Sequence, residues 1–287
     1  MNIETEQYKI IDDEEYGGVQ IQLFDTFNSD ILDIIKKHRV TSILLSQWKG
    51  WKTQPLDFLA DIENLKVVAI FDSVVQDLSV IEKLQSLEVL YLECPKAKTK
   101  VDFKLLENLV DVRFDWRPCF SSICESNTIQ TILINGYKGE DFSSFKSQSL
   151  SRLDIVKGSK LASLKGIENN PNLKSLMLYQ CSKLVDISSL QSVALERIEF
   201  ETCKKLENLE SVFELSSLKQ ISLDKCGQIR GITGISKLGL DSLVISDTVI
   251  EDGRLDELLK LKCSKIYFDN KKHYSHTLEE VRSIVLA

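Results

Sequence analysis

The chain lacks most of the signals that announce chemistry or a membrane. No run approaches the roughly 18 consecutive apolar residues that a bilayer span requires. Residues 1–6, Met-Asn-Ile-Glu-Thr-Glu, carry neither a basic segment nor an apolar stretch, so no secretion signal is expected. Basic residues are the minority, 36 Lys and Arg against 43 Asp and Glu, which leaves a formal charge of −7. A nucleic-acid or anionic-membrane binder would show a basic stripe. Neither partner is expected here. There is no phosphate-cradling glycine loop, no Gly-x-Ser-x-Gly elbow and no His-Glu-x-x-His.

Histidine occurs only three times in 287 residues. His273 and His276 are three apart but have no third ligand pattern near them, and read as part of a solvated loop. Cys119 and Cys124 have four residues between them and no second pair at zinc-finger spacing. Carboxylate pairs such as Glu199 and Glu201 recur on one face of a strand, and acid–base work would need a pocket around them. The expectation is a chain that is not an enzyme and holds no cofactor or metal. Seven cysteines is an odd number, and three belong to a repeat rather than a disulfide framework. That favours reduced thiols and a cytoplasmic location.

What is present is a period. Residues 173–226 contain Leu-x-x-Leu-x-Leu-x-x-Cys three times over, with Cys181, Cys203 and Cys226 spaced 22 and 23 residues apart. The template starts at Val40, Leu65, Leu87, Leu109, Ile129, Leu150, Leu173, Leu195, Leu218, Leu240 and, weakly, Cys263, which makes eleven units. Positions four and six, such as Leu90 and Leu92, are the other inward sites. Between strands a second spacing of three appears, as in Leu184, Ile187 and Leu190. That spacing suits short 3-10 turns, whose i and i+3 side chains align.

The ends break the period. Residues 1–39 read as an N-terminal cap: a strand at 19–24 after Gly17-Gly18, then a helix from Asn28 or Ser29 to His38 with Ile31, Ile34 and Ile35 on one face. Residues 272–287 read as a C-terminal capping helix, with Thr277 and Glu280 at capping-box spacing and Leu278, Val281, Ile284 and Val285 as its apolar stripe. Residues 254–261 read as a better α-helix than the earlier connections. The segments after Trp116 and Gly136 are shortened, with Phe120, Ile123, Phe142 and Phe145 expected to fill the wider gaps. No linker or low-complexity segment interrupts the chain, so one continuous solenoid domain is expected, with the array over 40–271.

The unit Leu-x-x-Ile-x-x-Leu-x-x-x-x-Leu-x-x-Leu-x-Leu-x-x-Cys at 184–203 resembles the 22-residue leucine-rich repeats of the internalin-like class. The resemblance implies an α/β fold: a right-handed leucine-rich repeat solenoid, a horseshoe or arc, with a concave parallel β-sheet and short 3-10 or irregular convex connections. It also implies protein binding across that sheet. The sequence departs from the class at position nine, where asparagine is common. Trp48, Ser73, Pro95, Arg117, Tyr137, Gly158, the three cysteines, Thr248 and Lys271 stand there instead. The cysteines are expected to form a buried structural ladder confined to about 173–230.

In a strand, side chains alternate, so positions three, five and seven face away from the core. Eleven strands would make a face on the order of 50 Å long. It mixes aromatics with acids, and the candidate partner-binding residues are Phe71, Tyr91, Glu93, Arg113, Asp115, Trp116, Tyr179, Glu199, Glu201, Asp224 and Tyr267. Aromatic residues and arginine are the usual anchors of interfaces, and the acids at position seven suit a basic ligand. The expected function is a monomeric, non-catalytic scaffold that binds a protein. Its partner would be basic, as in a bacterial immunity protein sequestering a toxin. The alternative is a regulatory subunit docked on an enzyme such as a phosphatase.

Overall fold

The computed structural model describes residues 2–286. The chain divides into two compact units, residues 1–132 and 133–287. The first unit opens with three antiparallel strands, β1 (Asn2–Glu4), β2 (Tyr8–Asp12) and β3 (Val19–Leu23). Helix α1 (Ser29–His38) follows, capped by the Asn28 side chain, which accepts from Ile31 N. Arg39 ends it in the left-handed conformation. Strands β4 (Ser42–Ser46), β5 (Val67–Phe71), β6 (Val89–Glu93) and β7 (Asp111–Asp115) then add in chain order, all parallel to β3.

The boundary between the units crosses β8 (Thr131–Asn135). The second unit continues with β9 (Arg152–Val156), β10 (Ser175–Tyr179), β11 (Arg197–Glu201), the single-turn helix α2 (Glu210–Phe213), β12 (Gln220–Ile229), β13 (Ser242–Ile250) and β14 (Lys265–Phe268). Strands β9 to β14 are parallel neighbours in chain order. Helix α3 (Leu278–Val285) closes the unit with a reciprocal capping box between Thr277 and Glu280. Among the described residues no helix is long and apolar enough to cross a membrane.

The register follows from the template. Each strand from β4 to β14 begins two residues after its template start, from Val40 and Ser42 to Cys263 and Lys265. Positions four and six point inward, so pairs such as Leu90 and Leu92 or Leu176 and Leu178 are 0–1% exposed. Burying a leucine or isoleucine is worth roughly 1.5–3 kcal/mol, so slipping a strand by one residue would exchange its whole core set for its polar face. The convex connections are mostly 3-10 turns. The short middle repeats are filled by Phe120, Ile123, Phe142 and Phe145, each fully buried.

The structure corrects several expectations at the ends. Residues 254–261 form a 3-10 turn (Asp256–Lys260) rather than an α-helix. The reason is the spacing of three between Leu255, Leu258 and Leu261, all buried, which is the convex signature of the other repeats. In α3 the buried residues are Val281 and Val285, four apart, while Ile284 is 55% exposed on the far side. The N-terminal cap contains β1 and β2 as well as the expected strand and helix. Their charged sequence hides them, although Ile10 of β2 is fully buried.

Candidate functional site

The residues expected to meet a partner lie in both units, and the two groups differ in surroundings. In the first unit, β6 and β7 place Tyr91 beside Arg113, in register across the parallel pair. The guanidinium stands 4.7 Å from the centre of the Tyr91 ring. Arg113 also pairs with Asp111 at 3.3 Å and Glu15 at 3.7 Å, and its Nη2 donates to the Tyr16 hydroxyl at 3.4 Å. The Tyr16 ring meets the Tyr91 ring edge-on at 6.1 Å. Tyr16 and Glu15 belong to the loop between β2 and β3.

Gly18 of that loop abuts the Thr41 side chain just before β4, and Tyr16 reaches β6. In this unit outward positions that a bare sheet would expose are buried: Ser42 at 0%, Val67 at 5% and Val89 at 5%. Burial raises the Tyr91 phenol well above its ordinary pKa, and the neighbouring Asp111 adds to the shift. Phe71 and Glu93 face each other across β5 and β6, with Phe71 half-buried and Glu93 exposed. Asp115 is half-buried. Trp116 follows β7 and packs its ring at 6.3 Å on Phe114, an inward core residue, which draws it away from the Arg113 cluster.

In the second unit, Tyr179, Glu201 and Asp224 stand in register on β10, β11 and β12, one per strand. Glu199 lies alongside Met177 and Ser222 and is paired with Arg197 of its own strand. Lys225 approaches Asp224 at 3.1 Å. Tyr267 is 36% exposed and donates to Asp269 at 2.8 Å. The Asp247 backbone N–H and that tyrosine hydroxyl hold the Asp269 carboxyl below its ordinary value. Along β10 to β14 every outward residue is half-buried or exposed.

How each repeat leaves its strand sets the rim of these faces. In the second unit the residue at position eight is left-handed in six successive repeats: Gly136, Lys157, Gln180, Thr202, Lys225 and Asp247. That turn delivers position nine to the interior. Cys181, Cys203 and Cys226 are buried there, and the thiols of Cys203 and Cys226 donate to Leu178 O at 3.7 Å and Phe200 O at 3.1 Å. Thr248 extends the row beyond its expected end, accepting from Cys226 N at 3.0 Å. Gly158 begins it by leaving room, since a Cβ there would sit 2.9 Å from Cys181 Sγ.

In the first unit no position-eight residue is left-handed, and in two of its repeats position eight itself is buried. Cys94 and Asp72 are each 1% exposed, whereas Pro95 and Ser73 are exposed and Trp48 is 92% exposed. Cys94 donates to Ile70 O, the bond that Cys203 and Cys226 make in the other unit, and burial pushes its thiol up to about 12. Asp72 is a hub. Its carboxylate accepts from Trp51 Nε1 at 3.1 Å, Thr53 Oγ1 at 2.7 Å, Gln47 Nε2 at 3.1 Å, and the backbone of Val74 at 2.8 Å and Val75 at 3.0 Å.

Sequence reasoning missed Asp72, because a fixed template looks for the ladder one residue later. It also missed Glu15, Tyr16 and Asp111. The available signal was Asp12-Asp13-Glu14-Glu15-Tyr16-Gly17-Gly18, a turn sequence with one aromatic. The other candidates are occupied locally. His273 Nε2 is 2.9 Å from Ile250 O, and His276 Nδ1 is 2.9 Å from Ser275 Oγ. Cys124 is buried, and the half-buried Cys119 donates to Ala97 O. Among the described residues no three His, Cys, Asp or Glu side chains gather as a metal site.

Neither a protein-family model nor a curated protein sequence matches this chain. Solved structures do. A leucine-rich repeat protein of Leptospira interrogans superposes with a TM-score of 0.55 at 15% identity, over 91% of this chain and 67% of that one. An internalin of Listeria monocytogenes gives 0.47 at 16% identity, over 86% of this chain and 93% of that one. A domain of another Listeria monocytogenes internalin, described as including a cysteine ladder, gives 0.43 at 12%, over 83% of this chain and 66% of that one. The fold is that of a leucine-rich repeat protein.

Proposed function

We propose that the chain is a non-catalytic scaffold that binds a protein through the outward face of its parallel strands, and that the partner offers basic side chains. The observation that carries this reading is the row Tyr179, Glu201 and Asp224, one residue per strand at strand spacing. In the last repeat the exposed Tyr267 stands at the level of Glu199, and its hydroxyl donates to the carboxylate of Asp269. Aromatic anchors beside carboxylates suit a lysine- or arginine-bearing surface, with the charges acting chiefly on association rate and specificity. Side chains on neighbouring strands, about 4.8 Å apart, are held by backbone pairing and need no reorganisation to meet a ligand.

Sequestration of a basic protein, as by a bacterial immunity protein in the cytoplasm, fits this surface. Docking on an enzyme such as a phosphatase is the second reading, favoured only if the captured partner is itself an enzyme. The test uses the intact protein as bait beside a Tyr179→Ala, Glu201→Ala, Asp224→Ala variant. A partner retained by the first and lost by the second, at unchanged thermal stability, supports the reading. Equal capture by both would overturn the assignment of the face.

A further inference from the structure

We infer that the Tyr91 and Arg113 patch of the first unit is a recognition site for a carboxylate–tyrosine segment, which the chain's own 13–18 loop fills in cis and a partner segment of that chemistry fills in trans. The inference rests on the outward strand face being a protein-binding surface, and adds a second, self-covered contact to it. The loop already shows the recognition chemistry. Glu15 offers its carboxylate to Arg113 at 3.7 Å, and Tyr16 lays its ring edge-on to Tyr91 at 6.1 Å. A tyrosine and an arginine stacked on one another are the residue types that anchor interfaces.

The occupant fits its seat imperfectly. Tyr91 Oη and Asp111 Oδ1 in the patch, and Asp13 Oδ2 in the loop, are buried without a hydrogen-bond partner. Buried polar atoms in native proteins are ordinarily satisfied, so unpaired atoms on both sides of this contact mark it as one held below full strength. The loop's contacts with Arg113 are long, at 3.4 and 3.7 Å. A fully engaged arginine–carboxylate bond is nearer 2.8 Å.

The loop is also tied together within itself. Its strongest bonds are internal: Asp13 Oδ1 accepts from Glu15 N at 3.2 Å and Tyr16 N at 3.1 Å. The backbones of Asp13 and Gly18 or Gly17 close it at 3.0 and 2.9 Å. Gly17 and Gly18 both have positive φ, at 75° and 89°, where the chain needs freedom to turn into β3. Lifting residues 14–16 leaves these bonds intact and gives up the contacts of Glu15 and Tyr16 with Arg113 and Tyr91.

The test is a peptide titration. The probe is the synthetic segment Asp-Asp-Glu-Glu-Tyr-Gly-Gly, added to the full chain and to a Glu15→Ala, Tyr16→Ala variant whose patch is vacated. A site occupied in cis most of the time binds a competitor more weakly by the fraction of time it is free. The peptide is therefore expected to bind the variant at least about tenfold more tightly than the wild type. Adding Arg113→Gln should remove that gain, and a probe with alanine for tyrosine should not bind. Binding to neither protein, or equally to both, overturns the inference and leaves the loop as simple packing.

If the double variant fails to fold by circular dichroism, the Tyr16 ring of the wild type decides by nuclear magnetic resonance. Excess peptide should move its ring protons to the shifts of a free tyrosine as the ring leaves Tyr91, and unmoved resonances overturn the inference. Failure of this titration leaves the capture result with the Tyr179, Glu201 and Asp224 variant standing, since that row lies on the other unit.

Discussion

The two units use one repeat to build two different surfaces. In the first, the chain's own β2–β3 loop sets Glu15 and Tyr16 on Arg113 and Tyr91, and the outward residues Val67 and Val89 are buried. In the second, outward residues from Met177 to Tyr267 stay half-buried or exposed. The rims differ as well. The second unit leaves each strand through a left-handed residue and turns position nine inward, onto a row of thiols and Thr248. The first leaves without that turn, and position eight goes inward as Cys94 or as the carboxylate hub Asp72. A repeat thus fixes the strand and its core and leaves the exit free to vary.

The sharpest way to break this comparison is to remove the inward residue from each rim. Asp72→Ala leaves Trp51 Nε1, Thr53 and two backbone N–H groups without their acceptor. Unsatisfied buried donors cost about 1–3 kcal/mol each, partly relieved by water, so a loss of about 3–4 kcal/mol is expected. Cys203→Ala removes one sulfur and a weak bond, for an expected loss of about 1–2 kcal/mol. Urea unfolding of both variants checks the pair. Equal losses would mean that the two rims are energetically alike.

A smaller effect tests the left-handed exits. Thr202 sits at φ 57°, a region costly for a β-branched residue and tolerated by asparagine. Thr202→Asn is expected to raise stability by roughly 0.5–1 kcal/mol. The same change at Cys94, whose exit is not left-handed, should instead destabilise by placing an amide in a buried thiol site. A neutral or destabilising Thr202→Asn would show that the turn carries no strain.

The smallest expected difference is the response to acid. In the second unit the hydroxyl and backbone of Ser188 hold the Asp186 carboxyl low, Lys260 does so for Glu257, the Asp247 N–H for Asp269 and the Thr277 N–H for Glu280. In the first unit Lys52 lowers Asp25, and the Ser79 N–H lowers Asp77. A carboxyl with a depressed folded pKa contributes stability above its unfolded value, near 4, and loses it as pH falls through the folded value. Stability should hold from pH 7 to about 5 and fall below about 4. These groups are largely exposed, so the loss will be small. Hydrogen exchange at pH 3 should show the second unit loosening before the first; the reverse order would sink this ranking.

The strand array was legible because it depends on a local pattern. Eleven template starts lead to eleven strands, each beginning two residues later, since the apolar alternation has only one register that buries it. The caps were legible in part. Asn28 and Thr277 announce their helices through capping chemistry, whereas β1 and β2 have too little apolar alternation to announce themselves. The position-nine template located Cys181, Cys203 and Cys226 and passed over Asp72 and Cys94. Tyr91 and Arg113 stand out as anchors from their residue types, but Tyr16, which meets both, lies 75 residues before the first and 97 before the second.

The sequence by itself determined the repeat, the core residues and the polar row on Tyr179, Glu201 and Asp224, because each follows from periodicity along one strand. Only the tertiary structure decided which outward faces are free. The Tyr16 ring meets Tyr91 from a loop that no local pattern ties to that strand. The physical reason is one of range. Alternation acts between neighbouring residues, while coverage of a face is set by segments that meet only after the chain has folded.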